Sequence, residues 1–177
     1  MKRAELEHIV RASSGITRQS DIVVIGSQAI LGQFPQAPAE LLVSMEADVF
    51  PRNRPDLSIQ IDGAIGERSL FHQTFGYYAH GVDETTATLP TGWLERLIPI
   101  RNENTGGATG WCLEVHDLAI SKLVAGREKD IDYVRVLLQH RLAEPARIEK
   151  LFPFLPTSED VRDRVRSRLS GLSSAVN

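Results

Sequence analysis

The chain has 177 residues and a single cysteine, Cys112, which excludes an intrachain disulfide and a cysteine-rich zinc site. No stretch approaches the ~20 consecutive apolar residues of a membrane helix, so no membrane partner is expected. Internal repeats and low-complexity segments are lacking too. The formal net charge is only −3, without the excess of Lys and Arg that a broad nucleic-acid footprint requires. A local basic pocket is still compatible with that balance. The opening residues, MKRAELEHIVRASSG, carry charges throughout and no apolar core. They do not read as a secretory signal, and a cytoplasmic location is the expectation. What is present is ordinary for a globular protein: 42% hydrophobic and 24% charged residues, enough for the core of one domain.

The informative stretch runs from Asp21 to Val49. Ile22, Val23, Val24 and Ile25 have the composition of a buried strand. Gly26-Ser27 follows at once, and Gln28 to Leu31 read as the first turn of a helix. Strand, Gly-Ser and helix together set free backbone N–H groups and a hydroxyl against a phosphate. Further on, Ser44 to Val49 alternate polar and apolar residues. A strand there puts Ser44, Glu46 and Asp48 on one face and Met45, Ala47 and Val49 towards the core. Carboxylates at i and i+2 lie roughly 6.5–7 Å apart at the backbone, so their tips can converge on a hard cation.

Along the rest of the chain, residues 3 to 13 read as a helix with Gly15 as its C-cap. QFPQAP is a loop, and Pro51 to Pro55 make a turn-rich segment whose Arg52 and Arg54 suit a site rim. Asp56 to Ile65 read as a short helix ended by Gly66. Ser69 to Val82 read as a strand from Thr74 onward. A strand pair is expected around Ala87–Leu89 and Leu97–Ile100, and Asn102 to Gly110 read as a flexible loop. Trp111 to Val115 form the last strand. Helices follow: one from His116-Asp117 to Ala125, a break at Gly126-Arg127, then Glu128 to His140, Pro145 to Phe152 and Ser158 to Leu169. A frayed tail is expected over Ser170–Asn177. Strands first and helices after give an α+β class. His72, His80 and His116 fall at no metal-ligand spacing on one helix, and His80 reads as a hydrogen-bonded sheet residue.

An apolar strand, Gly-Ser, a short helix and two acids separated by one residue resemble the signature of the nucleotidyltransferase superfamily. The segments VIGSQAILGQFP, SMEADVFP, HQTFGYYAHGV, LPTGWLERL and HDLAISKLVAGREKD are similar to a bacterial nucleotidyltransferase-like family of unknown function, related to the nucleotidyltransferases of toxin–antitoxin systems. The likeness spans about residues 1 to 140. It implies a mixed sheet with flanking helices over 1–140 and a helical extension, 141–177, packed on the same domain. It also implies magnesium at Glu46 and Asp48, and a nucleoside triphosphate (ATP, CTP, GTP or UTP) held by Gly26, Ser27, Lys122, Arg127 and Lys129. A third carboxylate is usual on a neighbouring strand, and Asp83 is the positional candidate, with Asp62 its rival. Two departures stand out: Glu46 where Asp is usual, and eighteen residues between Ser27 and Glu46.

Three readings follow. The first is a magnesium-dependent nucleotidyltransferase that moves a nucleoside monophosphate onto a hydroxyl of tRNA or of a protein. The second is a catalytically weak nucleotide-binding or antitoxin-type module of the same fold, paired with a cognate toxin or antitoxin. In the third the same residues are only turns, caps and a solvated strand face. A firmly placed third acid favours the first of these, and its absence the second.

Overall fold

The computed structural model describes residues 1–176. Five short strands carry the fold: β1 (Asp21–Ile25), β2 (Glu46–Pro51), β3 (Tyr78–Gly81), β4 (Ile98–Ile100) and β5 (Thr109–Cys112). They form one sheet in the order β3-β2-β1-β5-β4. The central β1 runs antiparallel to β2 and parallel to β5, while β2 and β3 are parallel and β4 and β5 antiparallel. The sheet is therefore mixed, within the expected α+β class. Ile22 to Ile25 are all buried, as an unbroken apolar run on a central strand requires.

The helices before the last strand are α1 (Arg3–Thr17), α2 (Ser58–Ile65) and α3 (Leu70–Phe75). Two glycines show how closely the first two lie on the sheet. A Cβ on Gly110 would stand 2.8 Å from Val10 of α1, and one on Gly81 would stand 2.1 Å from the Ser58 carbonyl oxygen of α2. Strand alternation then decides the rest of that face. Ala47, Val49 and Ala79 are buried beneath these helices. Glu46, Asp48, Tyr78 and His80 take the alternate positions and project from the other face.

The chain closes with α4 (Val115–Ala125), α5 (Glu128–Gln139), α6 (Pro145–Leu151) and α7 (Glu159–Val176). These pack on one another, and α4 packs against the 3-10 helix Ser27–Gly32 that leaves β1. Gly126, at φ +64°, ends α4. The Arg168 guanidinium of α7 donates to the Leu123 carbonyl at that end, where a cation opposes the helix dipole.

Several expectations are corrected. α1 runs through Gly15 to Thr17 and ends on Arg18 in the left-handed region, because Ile16 and Thr17 pack inward. Met45 precedes β2 and is 56% exposed, not core. The strand expected from Thr74 begins only at Tyr78; Thr74 and Phe75 instead end the helix Leu70–Phe75, with the Ser69 hydroxyl accepting from the His72 N–H and Gly76 at φ +77° as its C-cap. Ala87–Leu89 pairs with nothing; the partner of β4 is β5. The expected tail is helical through Val176, and its last residue, Asn177, lies outside the described residues.

The segment read as a flexible loop is also ordered. Asn102 caps the 3-10 turn Glu103–Thr105, and the Asn102 and Asn104 amides each donate to the buried Glu7 carboxylate at 2.8 Å. Arg3 adds an ion pair to the same group at 2.8 Å. Burial pushes the Glu7 carboxyl up, but these donors outweigh it and hold it below its usual range. Its removal leaves three donors without an acceptor. Glu7→Ala is expected to cost about 2 kcal/mol, or ~4–8 °C in melting temperature for this size. Amide exchange over residues 102–108 should quicken with it. Unchanged melting with slow exchange would show that the loop does not depend on Glu7.

Candidate functional site

The site begins with a register. Ile25, the last residue of β1, pairs with Asp48 of β2, so the Asp48 carboxylate lies level with the point where the chain leaves the sheet. Gly26 turns away at φ +70°, ψ −169°, a conformation essentially confined to glycine. A Cβ there would stand 2.1 Å from Asp48 Oδ2. The first backbone bond of the following 3-10 helix runs from the Ala29 N–H to the Gly26 carbonyl at 3.2 Å. The Ser27 and Gln28 N–H groups therefore precede the helical ladder and have no partner within it.

α4 and α5 bring the cations. Lys122 Nζ donates to Ser27 Oγ at 2.8 Å and lies 3.1 Å from Asp130 Oδ1. Asp130 is fully buried and also accepts from Arg127 Nε at 2.5 Å. Burial raises its carboxyl, but Arg127 and Lys122 outweigh that and hold it below the usual carboxylate range. Between these groups lies a cleft of about 240 Å³, lined among others by Gly26, Asp48, Thr86, Lys122, Arg127 and Asp130.

Parallel pairing of β2 with β3 sets Tyr78 opposite Glu46 and His80 opposite Asp48. The Tyr78 hydroxyl donates to Glu46 Oε2 at 2.9 Å, and burial together with that carboxylate pushes its pKa up to about 12. His80 Nδ1 lies 3.1 Å from Asp48 Oδ1. Burial raises the Asp48 carboxyl above its usual range and Glu46 adds to this, while His80 and Lys122 pull the other way.

Gly26, Asp48, Lys122 and Arg127 thus share one cleft, with the Ser27 hydroxyl on Lys122 and Glu46 two strand positions away. Asp83 and Lys129 are not brought in. Asp83 caps the 3-10 turn Glu84–Thr86 by accepting from the Thr85 N–H, and Lys129 is exposed on α5. Asp62 accepts from the Gly81 N–H at 3.3 Å, and α2 packs on the sheet face opposite Asp48. Arg52 and Arg54 fall at the far end of the sheet, because β2 runs antiparallel to β1; Arg52 lies over Trp111, 4.7 Å from its ring centroid. The residue level with Asp48 on the neighbouring strand is His80. His80 is the hydrogen-bonded sheet residue the sequence suggests, but only strand pairing places it beside Asp48. Tyr133, whose hydroxyl donates to the Ser27 carbonyl at 2.6 Å, is silent in the sequence.

The donor set fits magnesium. No group of three or more His, Cys, Asp or Glu side chains forms a metal cage among the described residues. Magnesium needs no such cage: it keeps several waters and takes one or two carboxylates together with substrate phosphates. At Asp48 burial and the neighbouring Glu46 outweigh His80 and Lys122, an imbalance of the kind a cation relieves.

Gly26-Ser27 at the end of β1, the acids of β2 and a lysine reaching across from α4 thus meet at one edge of the sheet. Over residues 4–152 the chain matches the family described as nucleotidyltransferase of unknown function, DUF6036, and it belongs to that family. No curated protein and no solved structure matches it. No helix among the described residues is long and apolar enough to cross a membrane.

The raised Asp48 pKa has a consequence for stability. A carboxyl whose folded pKa exceeds its unfolded value destabilises the protein when ionised, and that penalty fades as pH falls through the folded pKa. Asp48→Asn should therefore melt higher than the wild type at pH 7.5 in EDTA. The advantage should shrink on acidification, as the Asp48 carboxyl takes up its proton. A variant that melts lower at pH 7.5, or an advantage that grows on acidification, would contradict this electrostatic account.

Proposed function

We propose that the cleft binds a nucleoside triphosphate with magnesium and transfers the nucleoside monophosphate to a hydroxyl of an RNA or protein acceptor. A tRNA is one such acceptor, and a toxin–antitoxin pair is the proposed setting. The observation that carries this reading is the Lys122–Ser27 hydrogen bond, set across Gly26 from the Asp48 carboxylate. Lys122 and Arg127 neutralise phosphate charge where it develops, and the Ser27 and Gln28 N–H groups orient it. Glu46 and Asp48 would hold the cation, whose chemistry when bound is to neutralise the triphosphate and polarise the phosphoryl group under attack. The acceptor hydroxyl gives up its proton to water as its oxygen bonds to the α-phosphorus, the bond from the α-phosphorus to the bridging oxygen breaks, and pyrophosphate leaves. In this reading residues 1–140 are the nucleotidyltransferase domain and 141–177 a helical extension that braces α4.

A second reading has its own support. Asp83 is engaged as a cap, and the position level with Asp48 on β3 carries His80 rather than an acid. Both favour a nucleotide-binding or antitoxin-type interaction module of weak catalytic power. Incubation with each α-labelled ribonucleotide, magnesium and total cell RNA or protein separates the two. A labelled acceptor with the wild type and none with Asp48→Asn supports transfer. Nucleotide binding without label supports the module.

Binding itself should require magnesium, because Glu46 and Asp48 repel a bare triphosphate. A ligand at a hundredfold excess over its Kd stabilises the fold by about 2.7 kcal/mol. At ~2–4 °C per kcal/mol that is a melting shift of roughly 5–10 °C for at least one ribonucleotide. Asp48→Asn or EDTA should abolish the shift. An equal shift in EDTA, or none with any of the four ribonucleotides, would remove the magnesium–nucleotide site.

A further inference from the structure

Ser27 is gripped at both ends. Its hydroxyl accepts from Lys122 Nζ at 2.8 Å, and its carbonyl accepts from the Tyr133 hydroxyl at 2.6 Å. Tyr133 is buried and does not line the cleft, so its hydroxyl reaches the site only through the backbone of residue 27. Its ring adds a second contact, with the Lys122 ammonium 5.3 Å from the ring centroid. Tyr133 stands three residues after Asp130 on α5, on the same side of that helix. A single turn of α5 therefore holds Lys122 by charge and the Gly26-Ser27 turn by a hydrogen bond.

The planarity of the peptide unit makes this consequential. Fixing the Ser27 carbonyl also fixes the plane of the Ser27–Gln28 peptide, and with it the direction of the Gln28 N–H. Gly26 cannot supply that constraint, because glycine at φ +70° has wide conformational freedom. The turn needs an external anchor, and burial raises the Tyr133 pKa far above physiological pH, which keeps the hydroxyl a donor.

We infer that Tyr133 is a positioning residue for triphosphate binding: its hydroxyl holds the Ser27 carbonyl so that the Gly26-Ser27 turn and Lys122 meet the phosphates in one geometry. This rests on the nucleotide-binding function proposed above.

Tyr133→Phe removes only the hydroxyl and keeps the ring. Val134→Ala, in the core on the same helix, is the control for lost stability alone. Both are compared with the wild type by titration with each ribonucleoside triphosphate and magnesium, at a temperature well below every melting transition. Tyr133→Phe is expected to raise Kd about five- to tenfold, while Val134→Ala leaves Kd unchanged although it melts lower. Amide exchange is read in the same proteins without ligand. In Tyr133→Phe the Gln28 and Ala29 amides should exchange faster relative to the sheet amides, and in Val134→Ala they should not. Wild-type affinity and exchange in Tyr133→Phe, or equal weakening by Val134→Ala, overturns the inference. If the wild type binds no nucleotide, the proposed function fails separately, and the exchange pattern alone decides whether Tyr133 holds the turn.

Discussion

The Asp48 carboxylate fills the space that any side chain at position 26 would need, and the cleft depends on that exclusion. It requires a glycine at the end of the central strand. It also requires β2 to pair with β1 so that Asp48 is level with Ile25, and it requires α1 and α2 to cover the opposite sheet face so that Asp48 can project away from the core. The buried β-branched strand, the α1 and α2 layer and the glycine turn are three conditions for one placement. None of them involves chemistry, yet together they put a carboxylate beside a turn whose Ser27 and Gln28 N–H groups precede the helical ladder.

The positive side of the cleft rests on a buried charge of its own. Asp130 is fully buried and is compensated by Lys122 and Arg127. A lysine without it would swing on four flexible bonds, and an Asp130 without its cations would be an uncompensated buried ion, a defect worth about 3–5 kcal/mol. α4 and α5 are held against each other partly by this pairing, and α7 closes the end of α4 through Arg168. The C-terminal helices thus set where the cations stand, and Tyr133 connects the same helix to the turn that faces Asp48. Burial pushes both carboxyls up: at Asp130 the two cations outweigh it, whereas at Asp48 Glu46 adds to it and His80 and Lys122 do not offset it.

Much of this was legible in the sequence where the signal is local. The run Ile22 to Ile25 announces a buried strand, the alternation at Glu46-Ala47-Asp48-Val49 places both acids on one face, and Gly126 marks the end of α4. The resemblance to nucleotidyltransferases joins these pieces. Other local signals mark elements of their own. Ser69 and Gly76 bracket a helix over Leu70–Phe75, and Asn102 with Thr105 forms a capping box in the segment read as flexible. Pairing is what a single sequence does not encode in any window. The antiparallel β1–β2 ladder sends Arg52 and Arg54 to the far end of the sheet, and the β2–β3 register puts His80 level with Asp48, where the superfamily commonly has an acid. Tyr133 was silent because its contact with Ser27 spans 106 positions of the chain.

The central claim is that a triphosphate and its cation meet in the cleft between Asp48 and Lys122. Crystals grown with a ribonucleoside triphosphate and manganese in place of magnesium test it most directly, through anomalous diffraction at the manganese edge. The account predicts an anomalous peak within coordination distance of Asp48, with nucleotide phosphates against Lys122 and the Gly26-Ser27 turn. A nucleotide bound elsewhere, or manganese bound away from Asp48, would contradict it.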